Sequence, residues 1–278
     1  MNELWFAVIL FFSSMGAGLL GALSGLGGGV VIVPLLTIAF HVDIHYAIGA
    51  SLVSVIATSS GAAAAYVREG FSNIRVGMFL EIATTLGALV GAWLTTKVPT
   101  QAIGVVFGLV LLYSAYASLK QKHAEMTEKP DPLAMRLRLK GDVPAEDGLH
   151  HYVAQRVPAG FGLMWMAGAL SGLLGIGSGA VKVIAMDQAM RLPFKVSTTT
   201  SNFMIGVTAA ASAGLYWRSG YMAPSLVMPV MLGVLAGSLI GSRLLVKAEV
   251  RTLKMVFALV IVALGIEMIV HSATGMGG

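Results

Sequence analysis

The stretch "SGLLGIGSGAVKVIAMDQAM", residues 171–190, places four glycines within eight residues and then a lysine inside an apolar run. A glycine weakens a helix by about 1 kcal/mol relative to alanine. An ammonium group costs about 2.5–3.5 kcal/mol in an apolar phase unless it finds a partner or water. Both features are unfavourable in an ordinary apolar helix, so the stretch predicts a helix that is interrupted for a functional reason.

The composition of the whole chain indicates a lipid environment. The 278 residues are 56% hydrophobic and 11% charged, whereas an average soluble protein is about 25% charged. The absence of cysteine excludes disulfides, thiolate catalysis and cysteine-ligated metals. The net charge of +5 lies at the ends of apolar runs and forms no nucleic-acid-binding face. We therefore predict an all-α polytopic membrane protein whose partner is the bilayer and which binds no nucleic acid.

Apolar runs divide the chain into two similar sets. They cover residues 4–24, 29–40, 46–67, 74–96 and 101–119, and then 158–174, 180–190, 196–217, 222–242 and 252–271. Most are long enough to cross a bilayer as a helix, but 29–40 and 180–190 are too short. These two runs are predicted to be half-helices or arms of re-entrant hairpins, which gives about 8–10 membrane segments.

Residues 120–156 are the one aqueous segment, and their prolines and mixed charges predict a loop with a short surface helix around Leu133–Leu139. This segment contains no catalytic constellation. The predicted organisation is a first transmembrane repeat (1–119), a cytoplasmic linker (120–157) and a second transmembrane repeat (158–278).

The two halves repeat each other at a constant offset of 150 residues. Tyr66, Arg68 and Gly70 fall on Tyr216, Arg218 and Gly220, and Gly87, Gly91 and Lys97 fall on Gly237, Gly241 and Lys247. If the basic linker is cytoplasmic, each half makes an odd number of crossings, so the halves are inverted relative to each other. Inverted repeats are typical of secondary transporters.

The glycine clusters are the predicted substrate site. Broken backbone at membrane depth survives only beside protein or a watery cavity, and a helix that starts after the break directs free N–H groups at an anion. The predicted binding residues are Ser24, Gly25, Gly27, Gly28 and Gly29 in the first half and Gly175, Gly177, Ser178, Gly179 and Lys182 in the second. The alternative role of such glycines is close helix packing, which we prefer for Gly87 and Gly91. The alternative for Lys182 is a side chain that extends to the membrane surface or forms an ion pair with Asp187.

Hydroxyl and amide side chains follow each short segment at the start of the next helix. They are Ser51 in the first half and Thr199, Thr200, Ser201 and Asn202 in the second. These groups are ready donors to the oxygens of an oxyanion, and they complete the predicted binding set. Their alternative role is ordinary capping of the helix start.

Ionisable groups elsewhere in the apolar runs are candidates for energy coupling. Glu81 and Glu267 can each carry a proton if they are buried; the alternative, a glutamate near a helix end that reaches headgroups or a basic partner, is equally open for Glu81 and is preferred for Glu267. His41, Asp43 and His45 lie around a turn without a further ligand cluster, so we predict no metal site and no cofactor. A polar loop or a pH-responsive role stays open for these three residues.

The doubled motifs "GALSGLGGGVVIVPLL" (21–36) and "SGLLGIGSGAVKVIAM" (171–186) resemble those of the sulfite exporter family, also called TauE/SafE. The likeness covers roughly 15–119 and 160–271. It implies a permease of about eight spans in two related halves that moves sulfite or organosulfonate-type anions out of the cell. Ser178 and Lys182 replace Gly28 and Ile32 of the first half, so the halves are expected to contribute unequally.

The sequence as a whole predicts a secondary transporter in a bacterial-type cytoplasmic (inner) membrane. It would export a small inorganic or organic anion by alternating access, with a proton or sodium as coupling ion, and a homo-oligomer is compatible with this reading. The alternatives are an anion channel and an accessory membrane subunit that transports nothing. An enzyme is not predicted, because no nucleophile with a base and no metal cluster lies within the spans.

Overall fold

A computed structural model of the chain describes residues 3–24, 28–68, 72–119, 131–145, 148–245 and 250–274. The first half contains α1 (Glu3–Ser24), α2 (Gly29–Pro34, continued by the π-helical turn Leu35–Ala39), α3 (Ile44–Arg68), α4 (Ile74–Thr95) and α5 (Thr100–Leu119). The linker contains α6 (Pro132–Arg136), β1 (Lys140–Ala145) and β2 (Gly148–Val153). The second half contains α7 (Val157–Leu174), α8 (Gly179–Ile184, continued by the π-helical turn Ala185–Ala189), α9 (Phe194–Arg218), α10 (Pro224–Leu245) and α11 (Val250–Ala273).

The helices have the lengths and surfaces of membrane spans. Among the described residues, four stretches are long and apolar enough to cross a bilayer: Leu4–Gly21, Ile74–Thr95, Val157–Leu174 and Pro224–Gly241. Large apolar side chains stay exposed on them, as on α4, where Ile82 is 57%, Leu86 52% and Trp93 56% exposed. A surface of this kind is stable against lipid but not against water. The predicted class, an all-α polytopic membrane protein, is confirmed.

Short helices occur at both places where the sequence predicts them. Each six-residue helix and its π-helical turn together span eleven residues, 29–39 and 179–189, or about 16 Å at 1.5 Å per residue. Pro34 has no backbone N–H, which helps to explain why the regular pattern stops there in the first half. The second turn forms without a proline.

Equivalent helices of the two halves pack against each other in opposite directions. In α3 and α9, Gly49 lies against the Tyr221 carbonyl just beyond α9, while Ser59 lies against Gly206 near its middle. Helices α5 and α11 also run antiparallel, since Gly104 lies against Ser272 at the far end of α11. Two inverted halves would produce these contacts, and the inverted repeat stays our interpretation of the duplication.

Glycines hold the helices of different halves at backbone distance. Gly87 and Gly91 of α4 lie against the Trp165 and Ala169 carbonyls of α7, so this pair runs parallel. Helices α1 and α10 form the corresponding parallel pair through Gly233 and Gly237. A Cβ atom at any of these glycines would overlap the neighbouring backbone, which makes them small-residue seams.

The linker packs against the second half and is more structured than the sequence indicates. Asp131 accepts hydrogen bonds from the backbone N–H of Leu133 and of Val157, both at 2.8 Å, and so caps α6 and the start of α7. The expected helix around Leu133–Leu139 ends earlier, at Arg136, and Leu139 is 1% exposed where the chain turns into β1.

An antiparallel hairpin, β1 with β2, follows α6 and is a strand element that the sequence analysis did not predict. Gly141 and Pro144 in β1 weaken the strand signal, because glycine and proline are both unfavourable within strands. Tyr152 of β2 accepts a hydrogen bond from the Asn73 side-chain amide at 2.8 Å. Burial raises the pKa of the Tyr152 phenol above its ordinary value of 10.

The close approach of α7 to α4 gives a stability prediction. Gly168→Ala should lower the thermal unfolding midpoint of the purified protein in detergent, because the new Cβ would overlap the Thr84 carbonyl and overpacking costs about 1–3 kcal/mol. Gly162→Ala on the same helix is the control, since a Cβ there meets nothing within 4 Å. Equal midpoints for the two variants would contradict the seam.

Candidate functional site

The break between α7 and α8 is built from three residues with left-handed backbone. Gly175 has φ 69°, Gly177 φ 70° and Ser178 φ 49°. Glycine adopts this conformation without penalty, but a serine there is strained. Ser178 is 3% exposed, and its hydroxyl has no hydrogen-bond partner among the described residues. The second glycine cluster therefore interrupts the helix and leaves a buried polar group unsatisfied.

The first break is described only in part. Helix α1 ends at Ser24 and α2 begins at Gly29, with Gly28 buried directly before it. Gly25, Gly27 and the Ser24 side chain lie outside the described residues, so their predicted contribution to the site stays a prediction.

The two breaks meet across Ser51 of α3. The Ser51 hydroxyl donates to the Gly175 carbonyl at 2.7 Å and lies 3.4 Å from the Gly29 carbonyl. A Cβ atom on Gly29 would lie 3.0 Å from the Gly175 carbonyl oxygen. Ser201 of α9 makes the matching contact in the second half, to the Gly179 carbonyl at 3.3 Å. The structure thus brings the glycine segments of the two halves together.

The other polar residues of the predicted binding set lie within α9, not at its start. Thr199 donates to the Lys195 carbonyl of its own helix at 2.9 Å. Thr200 accepts from the Asn73 backbone N–H at 3.1 Å and so ties α9 to the start of α4. Asn202 is half-buried. Helix α9 begins at Phe194, so the interpretation of these hydroxyls as the start of a helix is wrong, whereas their substrate contact stays a prediction.

Three buried side chains connect α8, α9 and α4. Lys182 is completely buried, and its ammonium donates to the Thr208 hydroxyl at 2.6 Å. Thr208, also completely buried, lies 2.7 Å from Glu81 Oε1 and 2.9 Å from the Met204 carbonyl. Because a hydroxyl has one hydrogen, Thr208 donates to one of these two acceptors at a time. We call Lys182, Thr208 and Glu81 the buried triad.

The carboxylate end of the buried triad is incompletely satisfied. Glu81 is 6% exposed, and its Oε1 also accepts from the Thr85 hydroxyl at 3.2 Å. Its Oε2 has no hydrogen-bond partner among the described residues. The positive charge of Lys182 favours the ionised carboxylate of Glu81, and the negative charge of Glu81 favours the protonated ammonium of Lys182. Asp187, the alternative partner of the lysine, is buried in the π-helical turn after α8.

Thr208 is the part of the buried triad that sequence reasoning missed as a functional residue. It falls on Thr58 at the 150-residue offset and so was visible only as a member of the duplication. Thr58 donates within its own helix, to the Ser54 and Val55 carbonyls. The hydroxyl is therefore present in both halves, whereas the positions equivalent to Lys182 and Glu81 hold Ile32 and Met231.

A separate cavity of about 290 Å³ lies at the end of α5 opposite the linker. Its lining includes Thr37, Asp43, Gln101 and His271. His45 next to it is held by Asp43 at 3.0 Å and by the Thr95 carbonyl at 3.2 Å. No group of three potential metal-ligating side chains occurs in the described part of the chain. Glu267 is exposed on α11, apart from the buried triad.

A helical fold with a lipid-facing surface and charge buried in its interior is that of a polytopic membrane protein. The family model described as sulfite exporter TauE/SafE matches residues 10–268, and the chain belongs to this family. The protein is therefore an integral membrane transporter and not an enzyme.

Relatives from distant organisms match nearly the whole chain. The probable membrane transporter protein YunE of Bacillus subtilis is 28% identical over 94% of this chain and 97% of its own length. A probable membrane transporter protein of Xylella fastidiosa is 25% identical, covering 91% of this chain and 90% of the relative. Probable membrane transporter protein MJ0441 of Methanocaldococcus jannaschii is 23% identical, with 91% of each chain covered. No solved structure matches this chain.

The contact between the two breaks predicts a stability difference between neighbouring serines. Ser51→Ala should destabilise the protein by about 1 kcal/mol, because the Gly175 carbonyl loses a buried donor. Ser54→Ala is the matched control, since Ser54 is equally buried but donates to Ala50 of its own helix. The thermal midpoint in detergent measures both variants, and an unchanged midpoint for Ser51→Ala would refute the contact.

Proposed function

We propose that this protein is a secondary transporter that exports a small anion such as sulfite or an organosulfonate. The observation that carries the proposal is Lys182, a completely buried ammonium with one hydrogen-bond partner, Thr208, among the described residues. An ammonium has three N–H donors, so two are left for a bound anion. Leaving N–H donors of a buried ammonium without acceptors is costly, and the oxygens of a bound anion would accept from them.

The neighbouring breaks support an anion site beside Lys182. Ser178 begins the turn before the lysine, and its buried hydroxyl lacks a partner among the described residues. Gly29 and Gly175 bring the two halves into contact at the same breaks. A site between two related halves suits alternating access, because each half can move against the other around it.

The kind of anion is inferred from the family and from the chemistry of the donors. The family model is described as a sulfite exporter, and hydroxyl and ammonium groups are suitable donors to sulfite or sulfonate oxygens. The export direction and a location in a bacterial-type cytoplasmic membrane rest on the same likeness. Energy coupling by a proton is supported by Glu81, a buried carboxylate within reach of the lysine through Thr208.

A transport assay tests the proposal. Sulfite, sulfate, thiosulfate and simple sulfonates would be loaded into proteoliposomes, and efflux would be followed with time and concentration. Saturable efflux of one class of anion is the expected result. An anion channel would show a conductance without saturation, and an accessory subunit would show no flux.

Lys182→Met gives the sharpest residue-level prediction. Methionine has similar length without charge, and Glu81 can take up a proton when its counter-charge is removed, so the variant should fold while anion efflux falls at least about tenfold through loss of the charge-assisted donor. Ile32→Met is the control at the equivalent position of the first half. Normal efflux by a folded Lys182→Met protein would refute the assignment of Lys182 to the anion site.

A further inference from the structure

The buried triad limits the net charge that can be bound at this point of the interior. With nothing bound, the ammonium of Lys182 and the carboxylate of Glu81 compensate each other through the Thr208 hydroxyl, 2.6 Å from the nitrogen and 2.7 Å from Oε1. A monovalent anion that binds the ammonium adds a second negative charge. The interior would then hold one uncompensated charge, which proteins avoid.

A proton on Glu81 restores the balance. The unpartnered Oε2 offers a place for the proton without breaking the hydrogen bonds at Oε1. The loaded triad then contains the ammonium, the anion and a neutral carboxylic acid, and the net charge of the triad with its load is again zero. The empty and the fully loaded site are therefore both neutral, whereas a site with the anion alone or the proton alone is charged.

Lys182 is the one buried lysine or arginine among the described residues of the elements packed around Glu81. Helix α7 has no ionisable side chain. The remaining groups on the packed elements are Arg75 of α4, Lys195, Tyr216 and Arg218 of α9, Asp187 after α8 and Tyr152 of the linker. Arg75, Lys195 and Arg218 are exposed to the surroundings. The Tyr216 hydroxyl is held by Thr95 and the Gly172 carbonyl.

We infer that each monovalent anion held by Lys182 crosses the membrane together with one proton held by Glu81, in the same direction and without net charge. The inference rests on the proposed anion transport and adds the stoichiometry and the direction of its proton coupling. The proton binds the carboxylate from the aqueous side on which the anion enters and leaves with it on the other side. Export is then driven by the combined concentration gradients of the anion and the proton, since the membrane potential does not act on a neutral load.

The symmetry-related position, where residues of the two halves exchange roles, lacks a second copy of the charged pair. Ile32 stands where the second half has Lys182, and Met231 stands where the first half has Glu81. One proton-binding carboxylate thus serves one buried ammonium, which fixes the expected stoichiometry at one proton per anion.

Proteoliposomes loaded with methanesulfonate test the inference in the wild-type protein. This sulfonate is a permanently monovalent strong acid, so any proton that accompanies it is carried by the protein. We expect efflux to make the lumen more alkaline by about one proton per anion, and an imposed potassium diffusion potential to leave the initial rate nearly unchanged. Efflux without proton movement, or efflux accelerated by the potential, would overturn the inference and leave anion transport standing.

Glu81→Gln separates two steps of the transport cycle, the crossing of the loaded site and the return of the empty site. Glutamine imitates the protonated glutamate, so the loaded site stays neutral and exchange of internal for external methanesulfonate should continue. The empty site then contains an uncompensated ammonium, so its return should slow and net efflux should fall at least about tenfold. Glu267→Gln, on the exposed carboxylate of α11, is the matched control and should keep both activities.

The outcomes separate the proposals. Net efflux at the wild-type rate in Glu81→Gln overturns the role of Glu81, as does equal loss of exchange and net efflux in a folded variant. If the wild-type protein moves no methanesulfonate at all, organosulfonate transport itself fails, and the coupling inference fails with it.

Discussion

A positive charge without contact with solvent is the constraint on which the interior of this protein depends. Lys182 is completely buried in a chain that is 56% hydrophobic, and such a group is tolerated only with a counter-charge and hydrogen-bonding partners. Thr208 supplies the hydrogen bond and Glu81 the charge, each from a different helix. Helices α4, α8 and α9 are thus linked at one point by an electrostatic requirement in addition to apolar packing.

Broken backbone imposes a second requirement, which the glycine seams help to meet. The carbonyl of Gly175 is left at the end of a helix, and Ser51 from the other half of the chain binds it. The Gly175 segment lies against the backbone of α3, where a Cβ atom on Gly175 would be 3.1 Å from the Ile48 carbonyl oxygen. The halves also approach closely at Gly87 and Gly91. Interrupted helices and close-packed glycines are therefore parts of the same solution.

The apolar runs predicted the helices closely, because lipid-spanning segments are defined by length and hydropathy alone. Lys182 and Glu81 were recognisable as costly charges in apolar surroundings. Their connection was not, since Glu81 and Thr208 are 127 residues apart and only the packing of α4 on α9 brings them together. The linker hairpin was missed because Gly141 and Pro144 are poor strand formers, and its stability comes from burial against the helices.

The unequal halves have a consequence for the way such a protein can arise. Two identical chains that pair as inverted copies about a two-fold axis would carry the same residues on both sides, so a charge at one position would be repeated at its symmetry-related position. Fusion into one chain removes this restriction. Here Lys182 of the second half and Glu81 of the first half form one charged pair, while their counterparts Ile32 and Met231 leave the symmetry-related position apolar. Joining the copies allowed one of two equivalent positions to keep a single pair of opposite charges and the other to serve as an apolar frame.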